Sequence, residues 1–326
     1  MNILLINPAR TELHTGNRTT AERWSRLLGE LGHQVEVTHD WLGSGHTKKC
    51  DLLVAMHARR SFPAVDRFHQ ALPQLPVIVA LTGTDLYQDL KNDPETQRSL
   101  EIASRLVALQ SQALDALPAP LRDRCRVIYQ SAEAVGPPDF SATNVFRVCV
   151  LAHLRAVKDP FRAAYAARHL PADSRVQIAH AGGALDPELA SEAEAEQRRN
   201  PRYRWLGDLA RERALRLLAG SQLLALTSLL EGGANVVSEA IAAGVPVLSS
   251  LIPGSVGILG PDYPGYFPAG DARTLSLLMQ RAETDSAFYG ELKRRIRDLK
   301  PLVDPQRERE SWRALLAEVR QSAVTA

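Results

Sequence analysis

From residue 2 onward, short apolar runs alternate with stretches of helical periodicity, and few folds accept that order. Runs at 2–7, 35–38, 52–56, 77–81, 106–109 and 127–129 have the length of strands, and helical patterns occupy 19–31, 61–72, 95–104 and 110–117. A strand covered on both faces has no wet side, so its run is nearly continuous rather than alternating, which marks a parallel sheet between helices. The second half repeats the alternation, with runs at 145–151, 176–179, 203–206, 223–226 and 246–249. Between the halves, residues 133–144 (EAVGPPDFSATN) hold two consecutive prolines, a glycine and little periodicity, and read as a linker. The expectation is an α/β protein of two doubly wound domains, 1–137 and 145–305. A helix over 306–322, with Trp312, Leu315 and Leu316 at helical spacing, could cover either core and is assigned to the first.

Composition narrows the function classes. At 326 residues and 45% apolar content the chain can bury two substantial cores. The 39 basic and 37 acidic residues are mixed along it, so no nucleic-acid footprint or polybasic membrane patch is visible. The apolar start at 2–6 stops before Pro8 without a basic leader, and no run has the length of a membrane span, so the expected location is cytoplasmic. Cys50, Cys125 and Cys149 are far apart and form no metal-ligand spacing, so they read as buried thiols.

In doubly wound sheets ligands bind beyond the carboxyl ends of the strands, so the segments just after each strand carry the functional signal. After the first run comes NPARTELHTGNR, whose Gly16 and Asn17 open a helix and can offer backbone N–H groups to phosphate oxygens, with Arg18 beside them. It is no G-x-G-x-x-G loop and gives no support for a nicotinamide cofactor. After the third run comes His57-Ala-Arg59-Arg60-Ser61, either a phosphate-gripping pair of guanidinium forks or a solvated basic turn. After the fourth comes Leu81-Thr-Gly-Thr84-Asp85-Leu-Tyr87, where Thr84 reads equally as a ligand or as a helix cap. The first run of the second half ends in AHLRAVKDP, which crowds His153, Arg155 and Lys158 onto one turn. The Ala/Glu-rich stretch 187–199 reads as surface helix without a role in chemistry.

One segment joins these features. Residues 227–243, TSLLEGGANVVSEAIAA, leave a strand, pass Gly232 and Gly233, and enter a helix bearing Val236, Val237, Ala240 and Ile241. Glycines there let another molecule approach the backbone closely, and the first N–H groups of the helix, near Asn235 and Val236, favour an anion. Glu231 and Glu239 flank that anion seat with seven residues between them.

Taken together, the segments NPARTELHTGNRTTAERW, HARRS, LTGTDLY, AHLRAVKDP and SLLEGGANVVSEAIAAGVPVLSS resemble those of the selenosugar synthases of the bacterial selenoneine pathway. These are a branch of the retaining, family 4 nucleotide-sugar glycosyltransferases, which carry E-x7-E. The resemblance implies GT-B architecture, with two Rossmann-like domains facing each other across a cleft. It makes Lys158 the lysine that neutralises the donor diphosphate and puts His153 where the family has arginine, so that Arg155 or His153 shares that role. Glu239 then takes the ribose hydroxyls, the amides of Asn235 and Val236 with Gly233 seat the pyrophosphate, and Glu231 contacts the sugar or the developing oxocarbenium ion. The family has proline in this loop where this chain reads Glu231-Gly-Gly-Ala-Asn235.

The implied reaction moves N-acetylglucosamine, or a similar hexose, from a uridine diphosphate donor to selenophosphate, giving a selenosugar, UDP and phosphate. His57, Arg59, Arg60 and Arg18 would grip the acceptor's phosphoryl oxygens, with Thr84 and Asp85 beside them, and Lys158, Arg155, His153 and the Gly16-Asn17 helix start would meet the donor. The resemblance also implies metal independence, and no D-x-D triplet occurs. Two other functions use the same features: a glycosyltransferase with a UDP-sugar donor and a hydroxyl acceptor, and a nucleotide-sugar binding protein without turnover.

Overall fold

The computed structural model describes residues 1–8, 16–43, 50–135 and 144–325. Among them the strands build two parallel six-stranded sheets. The first has β1 (Asn2–Ile6), β2 (Gln34–Thr38), β3 (Leu52–Met56), β4 (Val77–Leu81), β5 (Arg105–Ala108) and β6 (Cys125–Val127), in spatial order β2-β1-β3-β4-β5-β6. The second has β7 (Phe146–Leu151), β8 (Val176–Ala181), β9 (Tyr203–Trp205), β10 (Leu223–Leu226), β11 (Val247–Ser250) and β12 (Tyr266–Phe267), in order β12-β11-β10-β7-β8-β9. The fold is α/β of the GT-B type.

The period-2 geometry of a strand sorts side chains onto two faces, and in the first sheet both faces are dry. Leu4, Ile6, Leu53, Val79 and Leu106 point to one side, under Val65 and Phe68 of the helix Phe62–Ala71. Ile3, Leu5, Val54, Ile78 and Val107 point to the other, under Trp24 and Leu28 of the helix Gly16–Glu30. The C-terminal helix Pro305–Thr325 completes this second face with Trp312, Leu315, Leu316 and Val319, and Trp312 meets Trp24 edge to face at 4.8 Å. In the second sheet the short helix Arg162–Ala167 buries only alanines. Asp186, Asp271 and Asp285 cap later helices by accepting bonds from their first amides.

The chain folds as two compact units. The first holds Met1–Gln130, Glu231–Asn235 and Pro305–Ala326; the second holds Ser131–Leu230 and Val236–Asp304. The sequence pattern assigns residues 231–235 to the second half, whereas their packing groups them with the first. The linker expected at 133–144 falls largely on 136–143, outside the described residues, as does the boundary at 137.

Several local expectations are revised. The helix expected over 110–117 is reduced to Ala113–Ala116; it starts three residues later than expected, and Leu117 and Pro118 end it by turning the chain extended. Cys125 and Cys149 are buried, whereas Cys50 is only half-buried. The helix Pro187–Arg199 is more than surface: Glu196 is fully buried and bonded to Arg168, Arg199 and Asn200. Burial alone would raise its carboxyl, but those three donors outweigh it and hold the group below its usual range.

Candidate active site

A parallel sheet opens a crevice where the chain reverses its direction of winding, between strands whose following loops leave in opposite senses. In the second sheet that point lies between β7 and β10, and in the first between β1 and β3. Two non-glycine residues among those described have left-handed backbones, Asp159 (φ 43°) and His57 (φ 68°). Each follows a strand that borders a reversal point, and backbone strain of this kind gathers where a site needs a fixed geometry.

At the reversal in the second unit, the turn after β7 carries His153, Arg155 and Lys158. It is held from β10: the Thr227 hydroxyl, 3.0 Å from the Lys158 carbonyl and 3.0 Å from that of Asp159, donates to this pair, and the Leu229 amide bonds Val157. Asp159 closes the turn by pairing with Arg162 at 2.7 Å. Arg155 is partly exposed, and its guanidinium has no side-chain partner among the described residues. From the β8 side, the Gly183 amide donates to Nδ1 of His153 at 3.1 Å, so the neutral imidazole carries its proton on Nε2. Gly182 is required where it passes the chain leaving β7: a Cβ there would stand 2.8 Å from the His153 backbone nitrogen and closer still to the Ala152 carbonyl. The buried His180 donates from Nε2 to that carbonyl and accepts the Tyr203 hydroxyl on Nδ1, each at 2.9 Å. Burial pushes His180 down to about 4, with His153 adding to the shift and the Ala152 bond opposing it.

The helix Asn235–Ala243 buries Val237, Ser238, Ala240 and Ile241, leaving Val236 half-exposed at its open end. The first amides of any helix lack intrahelical acceptors, and the amides of Asn235 and Val236 stand at this end. Glu239, one turn in, is mostly buried and pairs with Arg211 at 2.8 Å, a partner that sequence reading missed. Glu231 is half-buried. The glycine expectation is corrected. A Cβ on Gly232 would stand 2.6 Å from the Gly83 nitrogen, and one on Gly233 2.5 Å from Leu109 Cβ. What approaches these glycines is the protein's own chain after β4 and β5, so their need is met by packing.

The first unit's candidates separate into distinct groups. His57 is buried, with Nε2 2.8 Å from the Thr84 hydroxyl and Nδ1 3.9 Å from Asp85. Burial pushes the imidazole below its ordinary value, Asp85 opposes that, and Arg60 adds to it. Thr84 therefore spends its hydroxyl on His57, and the single π-helical turn Asp85–Asp89 that follows has no side-chain cap from it. Asp85 is 0% exposed and accepts from the amides of Ala58, Thr82, Gly83 and Leu86, so the expectation of an acceptor ligand is corrected: it ties the loops after β3 and β4 together. Arg59 pairs with Asp89 and Asp93, and Arg18 with Glu22 one turn away. Arg60 is exposed, and its backbone amide donates to Nδ1 of His57 at 3.4 Å. Gly16 begins the first helix with Asn17 next to it, and its carbonyl accepts from Asn235; residues 9–15 of the same expected loop lie outside the described residues.

Comparison with known proteins gives one family match and several structural neighbours. Residues 139–299 match the family described as glycosyl transferases group 1, a span that contains the β7 turn and the whole E-x7-E segment. Among solved structures, HepE from Anabaena in complex with UDP and glucose superposes with a TM-score of 0.77 at 18% identity, covering 98% of this chain and 100% of that one. Sucrose-phosphate synthase from Thermosynechococcus elongatus gives 0.76 at 15% identity, with 98% and 99% covered. The trehalose-6-phosphate protein of E. coli bound with UDP-2-fluoro glucose gives 0.75 at 11%, again with 98% and 99% covered. No described helix is long and apolar enough to cross a membrane, and no described group of three or more His, Cys, Asp or Glu is placed to hold a metal ion.

Proposed function

We propose that this protein is a glycosyltransferase that moves N-acetylglucosamine, or a similar hexose, from a UDP-sugar to selenophosphate. The observation that carries the donor half is the turn after β7: Thr227 fixes a strained backbone so that Lys158 and Arg155 present positive charge at the reversal point between β7 and β10. Fixed charge of this kind stabilises a departing diphosphate more than the bound substrate, because the negative charge on it grows as the bond to C1 breaks. His153 offers an Nε2 proton to the same oxygens, and the amides of Val236 and Asn235 complete the seat without a metal. Glu239 takes the ribose hydroxyls, exchanging its Arg211 partner for them. Glu231 supports the oxocarbenium ion. The presence of UDP with HepE, and of a UDP-sugar analogue with the E. coli protein, supports a uridine diphosphate donor.

The acceptor half rests on the motif resemblance and on the turn after β3. Arg60, with Arg59 beside it, supplies guanidinium donors suited to phosphoryl oxygens, next to the strained His57. Selenophosphate already carries an anionic, polarisable selenium and needs little help from a general base. Its selenium bonds C1 while the C1–oxygen bond to UDP breaks with its electron pair; water then supplies an oxygen to phosphorus as the phosphorus–selenium bond breaks with its electron pair on selenium, giving the selenolate sugar and inorganic phosphate.

The test is mass analysis of products after incubation with several UDP-sugars and selenophosphate. The expected result is a selenium-bearing hexose with stoichiometric UDP. Turnover only when a hydroxyl acceptor is supplied would replace the acceptor assignment, and donor binding without UDP release on any acceptor would overturn the reading as an enzyme.

A further inference from the structure

A buried cation in the first unit has no part in the site as described. Arg23 lies on the helix Gly16–Glu30 and is 9% exposed, and its guanidinium is engaged on every side. Nε donates to both oxygens of Glu308, at 3.0 and 3.3 Å, and Glu308 is itself 1% exposed and takes the Trp24 indole proton at 2.7 Å. Nη1 donates to the side-chain oxygen of Asn235 at 2.8 Å, and Nη2 to that of Gln130 at 2.8 Å. Gln130 passes the link on, donating to the Gly233 carbonyl. Both ends of the Gly233–Asn235 stretch are therefore tied to one guanidinium, at Asn235 directly and at Gly233 through Gln130.

We infer that Arg23 is a positioning residue: it holds the loop that carries Glu231 and opens the helix Asn235–Ala243. It acts through Asn235 and Gln130 and touches no substrate, because Glu308 already neutralises it. Only arginine can do this, since the three directions require a planar fork with several fixed donors, which the single ammonium of lysine lacks. Asn235 adds a second tie, donating to the Gly16 carbonyl at 3.1 Å and to the Thr20 hydroxyl at 3.0 Å. The loop has little side chain of its own, consisting of Glu231, two glycines, Ala234 and Asn235, so these bonds add directional ties to the backbone packing of Gly232 and Gly233. The effect on turnover rests on the glycosyltransferase reading above; the ordering of the loop does not.

Two variants test it. Arg23→Lys keeps a cation against Glu308 and loses the fork, whereas Asn235→Ala keeps the Arg23–Glu308 pair and cuts the link. In both, amide hydrogen exchange over residues 231–237 is expected to rise about tenfold while β3 and β4 stay protected. UDP-sugar turnover is expected to fall roughly 10- to 100-fold in kcat with a smaller change in KM, since a displaced loop loses charge alignment in the transition state first. The double variant should be no worse than the poorer single one, as for two residues in one network. Unchanged exchange over 231–237, losses that multiply in the double variant, or a kcat loss that merely follows Tm would overturn the inference. If the parent protein consumed no UDP-sugar while the variants still loosened the loop, the functional reading would fall and the positioning role would stand.

Discussion

The two units solve one topological problem with different strand orders. Counted within its own unit, the first sheet runs 2-1-3-4-5-6 and the second 6-5-4-1-2-3, so the winding reverses beside the first strand in both but against a different neighbour. The loops at the two reversal points are also held differently. In the first unit side chains hold the loop after β3: Asp85 gathers its Ala58 amide together with amides of the loop after β4, and His57 spends its ring on Thr84. In the second unit backbone and small residues take that part. Gly182 lies against the β7 end, Thr227 clamps two carbonyls, and Arg155 is half-exposed. A loop braced by its own polar side chains has fewer of them to offer a ligand, which is in keeping with the proposal that the donor chemistry belongs to the second.

That contrast breaks most visibly at Asp85. Replacing it with alanine strands several buried amides that now share a carboxylate, and is expected to destabilise the first unit by about 3–5 kcal/mol. Urea unfolding would register this as a lower midpoint. A midpoint within error of the parent would mean that the loops after β3 and β4 are braced some other way. The counterpart in the second unit is Lys158→Ala, which should leave the midpoint nearly unchanged and lower UDP-sugar turnover roughly 100- to 1,000-fold, the usual cost of removing one preorganised donor from a developing anion. A large stability loss with little effect on turnover would reverse the assignment of roles.

How much of this was legible depended on whether the signal is local. Strands β3, β4 and β10 occupy the apolar runs at 52–56, 77–81 and 223–226 residue for residue, because a fully covered strand writes its burial into consecutive side chains. His153, Arg155, Lys158 and Glu239 stand out in the sequence because polar residues just past a strand or a helix start are where such sheets bind ligands. Strand order was not legible: both halves show the same alternation, and which strand a crossover returns to depends on helix packing that no short window records. Arg211, Arg23 and Glu308 were missed for a related reason, since Arg23 and Glu308 are 285 positions apart and a buried ion pair has no periodicity. Gly182-Gly183 had a signal that went unused, a double glycine directly after a strand, the same pattern that draws attention to Gly232-Gly233. Asp85 was misread because an acid after a glycine turn looks alike whether it meets a ligand or the amides of its own chain.

The buried histidines sharpen the comparison further. His57 and His180 are both held below the ordinary imidazole value by burial, but Asp85 stands 3.9 Å from His57 and offsets part of that, whereas His180 has only the Ala152 carbonyl to oppose it and has His153 adding to it. A histidine depressed on folding takes up more protons unfolded than folded between its two values, so its neutral burial contributes stability that is complete above about pH 6.5 and lost as the pH falls. For His180 the loss runs from about 6.5 down to about 4 and amounts at most to about 3 kcal/mol. For His57 the window has the same sign and begins at the same upper edge. Acidification should therefore weaken the second unit around His180. Hydrogen exchange read strand by strand between about pH 7.5 and 4.5 should show β7 and β8 losing protection, after correction for the intrinsic exchange rate. His180→Gln, which cannot take up the proton, should be less stable than the parent at the upper end of that range and flatter with pH across it. If the variant kept the parent's slope, the acid sensitivity would have to come from groups other than His180.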